Sequence, residues 1–133
     1  MLVCLDSNIV MYLNEPDAVW TPKAEARIAA IRAALDEVAV CETAILECLI
    51  GPFKSGDAAT EAEYRGFLAD PLVRLLHVSR STWERAARIA AGNNFKPIDS
   101  LHLATAVEHG CGLFLTADAR LGRCTDITVE VLK

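Results

Sequence analysis

Four carboxylates stand out for the residues around them: Asp6, Glu47, Asp99 and Asp118. Asp6 ends the apolar run Leu2-Val3-Cys4-Leu5. Glu47 interrupts Ala44-Ile45-Leu46 and Cys48-Leu49-Ile50, where every neighbour is apolar. A carboxylate in such a place is rarely buried unless something pairs with it, and no lysine or arginine is an obvious partner. Asp99 opens the segment Asp99-Ser100-Leu101-His102-Leu103-Ala104-Thr105-Ala106, and Asp118 follows Thr116-Ala117 at the end of another apolar run. Brought within a few ångströms, such acids would repel one another and raise each other's pKa. A divalent cation removes that penalty. All-oxygen ligands without a set of His or Cys suit Mg²⁺ or Mn²⁺ better than Zn²⁺. Such ions activate water and stabilise attacking and leaving oxygens in phosphodiester hydrolysis, singly or as a pair about 4 Å apart.

Three of the acids have a plainer explanation when taken alone. Asp6 and Asp99 suit helix N-caps, and Asp118 suits a turn. Only Glu47 resists such a reading. The metal chemistry therefore depends on whether the chain brings the four together, which is a question about the elements that carry them.

Consecutive apolar positions predict buried strands at Leu2–Leu5, Val38–Cys41, Leu72–Val78, Leu113–Leu115 and Ile127–Leu132. Helices are expected at Asn8–Leu13 and from Thr21-Pro22 to about Asp36, the latter with Ala24, Ile28, Ile31 and Leu35 on its apolar face. Further helices are expected from Ala44 to about Ile50, stopped by Gly51-Pro52, and at Ala58–Leu68 after a polar loop from Lys54. Another begins at Ser79–Ser81, with Trp83, Ala86, Ala87 and Ala90 facing the core, and ends at Gly92-Asn93-Asn94. The last runs from Asp99 to His109. Strands alternating with helices imply an α/β sandwich with a mainly parallel sheet. In right-handed crossovers the helices run antiparallel to the strands. Helix N-termini then lie at the carboxyl edge of the sheet, where open α/β sheets hold ligands. All four acids should share that rim.

Composition narrows the field. The chain has 133 residues, enough for one domain spanning 1–133, and 53% of them are hydrophobic. Its apolar runs are too short to span a bilayer, and no basic leader precedes the first strand, so a cytoplasmic protein with no membrane association is expected. Five cysteines without a Cys-x-x-Cys pair argue against a disulfide framework or a structural zinc site. A formal net charge of −5 argues against coating nucleic acid by bulk positive charge. It does not exclude a nuclease, because acidic metal ligands themselves make the balance negative.

Asp6-Ser7-Asn8 after the first strand, Glu47 in its apolar helix, the Asp99–Ala106 segment and Thr116-Ala117-Asp118 together resemble the PIN-domain ribonucleases. Length and order resemble the VapC-type toxins of type II toxin–antitoxin modules, over essentially the whole chain. The resemblance implies a single-domain three-layer α/β/α sandwich with a five-stranded sheet ordered 3-2-1-4-5. It implies a Mg²⁺- or Mn²⁺-dependent endoribonuclease with catalytic and metal-ligand roles for Asp6, Glu47, Asp99 and Asp118. By that analogy Asp6 and Asp99 hold the metal, Glu47 orients the metal or its water, and Asp118 serves a second ion or an outer-shell water. Asn8 and Thr116 would support these acids by hydrogen bonds. A homodimer and a cognate antitoxin, whose tail blocks the acidic pocket, are implied as well. One departure is Cys41, where members often carry Ser or Thr near the start of the Glu-bearing helix; Thr43 is the nearest hydroxyl.

Other residues are weighed in the same way. His102, one turn from Asp99, reads as structural. Trp20, on a loop before Pro22, suits RNA, a partner or the core. Arg120 and Arg123 suit either phosphate contacts or plain solvation, and Lys54 and Lys96 are weaker candidates of the same kind. Ser7 has no His-Asp arrangement to make it a nucleophile. A receiver domain would want two acids after the first strand, which Asp6-Ser7 does not supply. A haloacid-dehalogenase-type phosphatase would want Asp-x-Asp, and Asn8 replaces its second acid. The standing alternative is a non-catalytic PIN-like metal- or RNA-binding module.

Overall fold

The first strand, β1 (Leu2–Leu5), is the middle strand of a five-stranded sheet, as its unbroken apolar run requires. The computed structural model describes all residues, Met1–Lys133. After β1 come α1 (Ser7–Asn14), α2 (Trp20–Ala33), β2 (Glu37–Cys41), α3 (Thr43–Ser55), α4 (Ala58–Leu68) and β3 (Val73–Leu76). The chain continues through α5 (Arg80–Asn93), α6 (Pro97–Glu108), β4 (Leu113–Thr116), a 3₁₀ turn (Ala119–Arg123) and β5 (Val129–Val131). The sheet order is β3-β2-β1-β4-β5, as expected, and every pairing is parallel. Cys4 stands level with Ala39 on one side and Phe114 on the other, which sets the three central strands in register.

The strand period of two divides the core. Val3, Leu5, Val38, Val40, Leu113 and Leu115 point to one face and pack with Ile9, Val10, Ile31, Leu49 and Tyr64 of α1 to α4. Cys4, Ala39 and Phe114 point to the other and meet Ala86 and Ile89 of α5 and Leu101, Leu103 and Ala104 of α6. The result is a three-layer α/β/α sandwich. No helix is long and apolar enough to cross a membrane.

Local expectations fail where tertiary structure outweighs propensity. Gly51-Pro52 does not stop α3, which runs on to Ser55 with Pro52 buried inside it. The stop comes from Gly56, whose φ of 68° lets the Asp57 N–H turn back to the Pro52 carbonyl. Leu35 is not on the apolar face of α2. The helix ends before it, Asp36 N–H reaches Ile31 O and Leu35 N–H reaches Arg32 O, and Leu35 is left-handed (φ 62°) and 90% exposed. Trp83 is exposed too, because α5 buries Thr82, Ala86 and Ile89 instead. Thr21 lies inside α2 and does not cap it. Asp17 accepts the Val19 and Trp20 N–H groups, and Trp20 stacks on Tyr12 at 5.7 Å with the Lys23 ammonium over its ring.

Candidate functional site

The carboxyl edge of the sheet collects the four acids. Asp6 leaves β1 in an extended conformation (ψ 156°) and caps α1 by accepting the Ser7 N–H at 2.8 Å. Glu47 lies in the second turn of α3, which follows β2 directly. Pro97 sets the first turn of α6 and places Asp99 within it, where the helix dipole favours an acid. Asp118 follows β4 and caps the 3₁₀ turn.

Asp6 is buried and well supported. The Thr116 hydroxyl donates to its Oδ2 at 2.7 Å, and the Asn8 amide donates to the same oxygen at 3.3 Å. Asn8 Oδ1 accepts the Ala117 N–H at 3.1 Å, tying α1 to the end of β4. Asn8 and Thr116 thus both donate to the same oxygen of Asp6. Burial raises the Asp6 pKa and the Glu47 charge adds to the rise, while His102, Thr116 and the Ser7 N–H oppose it.

Asp99 is half-buried and takes no hydrogen bond from the protein. Burial raises its pKa, and the charges of Asp6, Asp118 and Glu47 raise it further. Asp99 therefore senses the other three acids across the rim. Two of them are meanwhile paired with side chains of the protein itself. Arg120 forks onto Asp118, with Nη2 2.6 Å from Oδ2 and Nε 3.1 Å from Oδ1, and holds its pKa down. His102 Nε2 donates to Glu47 Oε1, and the Ser7 hydroxyl donates to the same oxygen at 2.7 Å. Burial pulls the Glu47 pKa up, but the His102 bond and charge and the Ser7 bond outweigh it and the net shift is down. As they stand, no three acidic, His or Cys side chains are grouped closely enough to hold an ion. The chemistry of the donors nonetheless fits a hard divalent cation. Asp99 has both oxygens free, Glu47 has Oε2 free, and every donor is a carboxylate oxygen.

Sequence reasoning read His102 as structural but did not name the group it pairs with. It is fully buried on α6 and is the partner that Glu47 lacked. The argument that marked Glu47 applies to it as well, since a polar ring inside Leu101–Ala106 also needs a partner. Burial lowers the pKa of His102, but Cys41, Glu47 and Asp6 together raise it on balance. Cys41 does not touch Glu47; its thiol accepts from Thr43 and donates to Thr105. Arg123 donates to Asn93 O at 2.8 Å and lies over the Phe95 ring. Lys96 lies near enough to Asp118 for its charge to be felt there.

Comparison with known proteins follows this geometry. The family model described as PIN domain matches residues 3–126. No curated protein sequence gives a significant match. Among solved structures, the fold is similar to VapBC2 of Rickettsia felis bound to a promoter DNA fragment, with a TM-score of 0.82, 14% identity and 100% of both chains covered. It is similar to a toxin–antitoxin complex from Klebsiella pneumoniae, with a TM-score of 0.70, 20% identity and 95% of each chain covered. VapC20 of Mycobacterium tuberculosis, a toxin that cleaves the sarcin-ricin loop, aligns with a TM-score of 0.67 and 15% identity over 84% of this chain and 86% of its own. With the sheet order, the rim of acids and a family match over nearly the whole length, the chain belongs to the PIN domain family.

Proposed function

We propose that this protein is a metal-dependent endoribonuclease, using Mg²⁺ or Mn²⁺, and the toxin of a toxin–antitoxin pair. The observation that carries the reading is Asp99, a half-buried carboxylate with no protein partner that faces the charges of Asp6, Asp118 and Glu47. Such an arrangement costs stability and is usual where a cation is to be held. Asp6 and Asp99 would hold the ion, with Glu47 Oε2 as a third donor and Asp118 serving a second ion or an outer-shell water. A divalent ion held there supplies Lewis acidity toward a phosphodiester and lowers the pKa of water. The chain's own part is to fix the acids. Thr116 and Asn8 hold Asp6, while Ser7 and His102 hold Glu47. Arg120, 61% exposed, can leave Asp118 for an incoming phosphate at little cost, because exposed ion pairs contribute little.

A protein partner has a surface to meet. Ile45, Leu46, Ile50 and Phe53 of α3 are exposed and, with Glu42 and Leu49, line a groove of about 490 Å³. Likeness to toxin–antitoxin complexes supports an antitoxin as its occupant.

The test is RNA cleavage by the purified chain with Mn²⁺ and with excess EDTA. Cleavage that stops with EDTA and is lost in Asp6→Asn and Asp99→Asn is the expected result. Cleavage at wild-type rate in either variant would show the site to be misassigned. RNA or metal binding without turnover would leave the non-catalytic module standing.

A further inference from the structure

Glu47 projects from the second turn of a helix and caps nothing, so its own backbone does little to secure its place on the rim. Its position is set by what holds Oε1. Two groups donate to that oxygen, Ser7 Oγ at 2.7 Å and His102 Nε2, and no protein group reaches Oε2. Around Nε2 lie Glu47 Oε1, Ser7 Oγ at 3.1 Å and Thr43 Oγ1 at 3.3 Å. The Ser7 proton is committed to Glu47. The Thr43 proton is committed as well, through a one-way chain. Thr105 donates to the Leu101 carbonyl at 2.7 Å, so it can only accept from the Cys41 thiol at 3.2 Å. Cys41 must then accept from Thr43 at 3.0 Å. Glu47 Oε1, Ser7 Oγ and Thr43 Oγ1 therefore all offer lone pairs to Nε2, and the ring carries a proton there and aims it at them. Nδ1 is buried with no partner, so nothing on the far side competes for the ring's orientation.

We propose that His102 is a positioning residue which, with Ser7, holds Glu47 by Oε1 so that Oε2 is left to the divalent cation. Cys41 meets both the ring and Thr43 and so helps to set the direction of the bonds there. The proposal rests on the metal-dependent reading above. His102 is fully buried, so it acts on the metal through Glu47 and touches neither metal nor RNA.

The experiment is calorimetric titration of the full chain with Mn²⁺ alone, comparing wild type, His102→Leu, His102→Gln and Ser7→Ala. Loss of an outer partner of a metal ligand typically costs about 10- to 100-fold in affinity. His102→Leu should lose affinity in that range. His102→Gln, whose amide can still donate to Oε1, should stay within about threefold of wild type, and Ser7→Ala should fall between the two. In a Glu47→Gln background, His102→Leu should add no further loss. Wild-type affinity in His102→Leu, or a Gln variant as weak as the Leu variant, would overturn the positioning role. If both His102 variants fail to fold, Ser7→Ala decides, and unchanged affinity there overturns the proposal. A wild type that binds no Mn²⁺ would instead refute the metal-dependent reading itself, and this proposal with it.

Discussion

Thr116 offers the sharpest test of how the rim is held. Its hydroxyl is fully buried at the end of β4 and uses its whole hydrogen-bonding capacity. It donates to Asp6 Oδ2 at 2.7 Å and accepts from the Asp118 N–H at 3.0 Å and the Asn8 amide at 3.3 Å. Thr116→Val keeps the shape and removes all three bonds. A hydrogen bond to a charged group contributes about 1.5–3 kcal/mol, and an amide left without its partner costs about 1 kcal/mol more. The Asp118 N–H is near water and recovers part of this, so the expected net loss is about 3 kcal/mol at neutral pH. For a chain of this size that corresponds to a fall in Tm of about 10 °C. The pH dependence fixes the cause. The Thr116 bond favours the charged form of Asp6, and burial already raises that pKa. Without Thr116 the folded-state pKa rises further above its unfolded value. The extra cost is then complete above the folded pKa and is lost as pH falls through it, when the carboxyl is neutral in both states. Urea denaturation at about pH 7 and about pH 5 should therefore show a smaller gap between variant and wild type at the acid end. In an Asp6→Asn background the cost should drop to about 1 kcal/mol, the value of neutral hydrogen bonds. A loss under about 0.5 kcal/mol, or an undiminished loss in the Asn background, would refute the account of Thr116 as the support of a buried charge.

Three further outcomes are expected. Asp99→Asn should melt higher than wild type at neutral pH, because it removes a half-buried charge repelled by Asp6, Asp118 and Glu47. The gain should vanish on acidification, since the wild-type carboxyl then becomes neutral, and a lower Tm at neutral pH would contradict the reading. Glu47→Gln should weaken Mn²⁺ binding at least about tenfold and slow RNA cleavage; unchanged affinity would confine Glu47 to a structural role. Leu35→Gly should stabilise the chain by about 0.5 kcal/mol in denaturant titration, since relief of about 1–2 kcal/mol from the left-handed Leu exceeds the entropy cost of Gly. Destabilisation would show that the exposed Leu35 side chain has a contact of its own.

Much of this protein was legible in the chain itself. Short solid apolar runs such as Leu2–Leu5 and Leu113–Leu115, closed by polar residues, read as strands covered on both faces. Strands alternating with helices fix a parallel sheet, and crossover handedness then sends Asp6, Glu47, Asp99 and Asp118 to one edge. The order β3-β2-β1-β4-β5 came from family resemblance, because local pattern does not say which strands are neighbours. Boundaries were less legible. Gly51-Pro52 reads as a stop, yet packing of Pro52 and the left-handed Gly56 carry α3 a turn further. Trp83 reads as core, yet the rotation of α5 on the sheet chooses Thr82, Ala86 and Ile89. The pairing of acids with their partners was the least legible part. His102 meets Glu47 from 55 residues away, and Ser7 meets it from 40. Residue type and spacing determined that a carboxylate and an imidazole in apolar runs each needed a partner. Only the packing of α6 against α3 beside the end of β1 decided that they satisfy each other, because hydrogen bonds act over about 3 Å in space and leave no period in sequence.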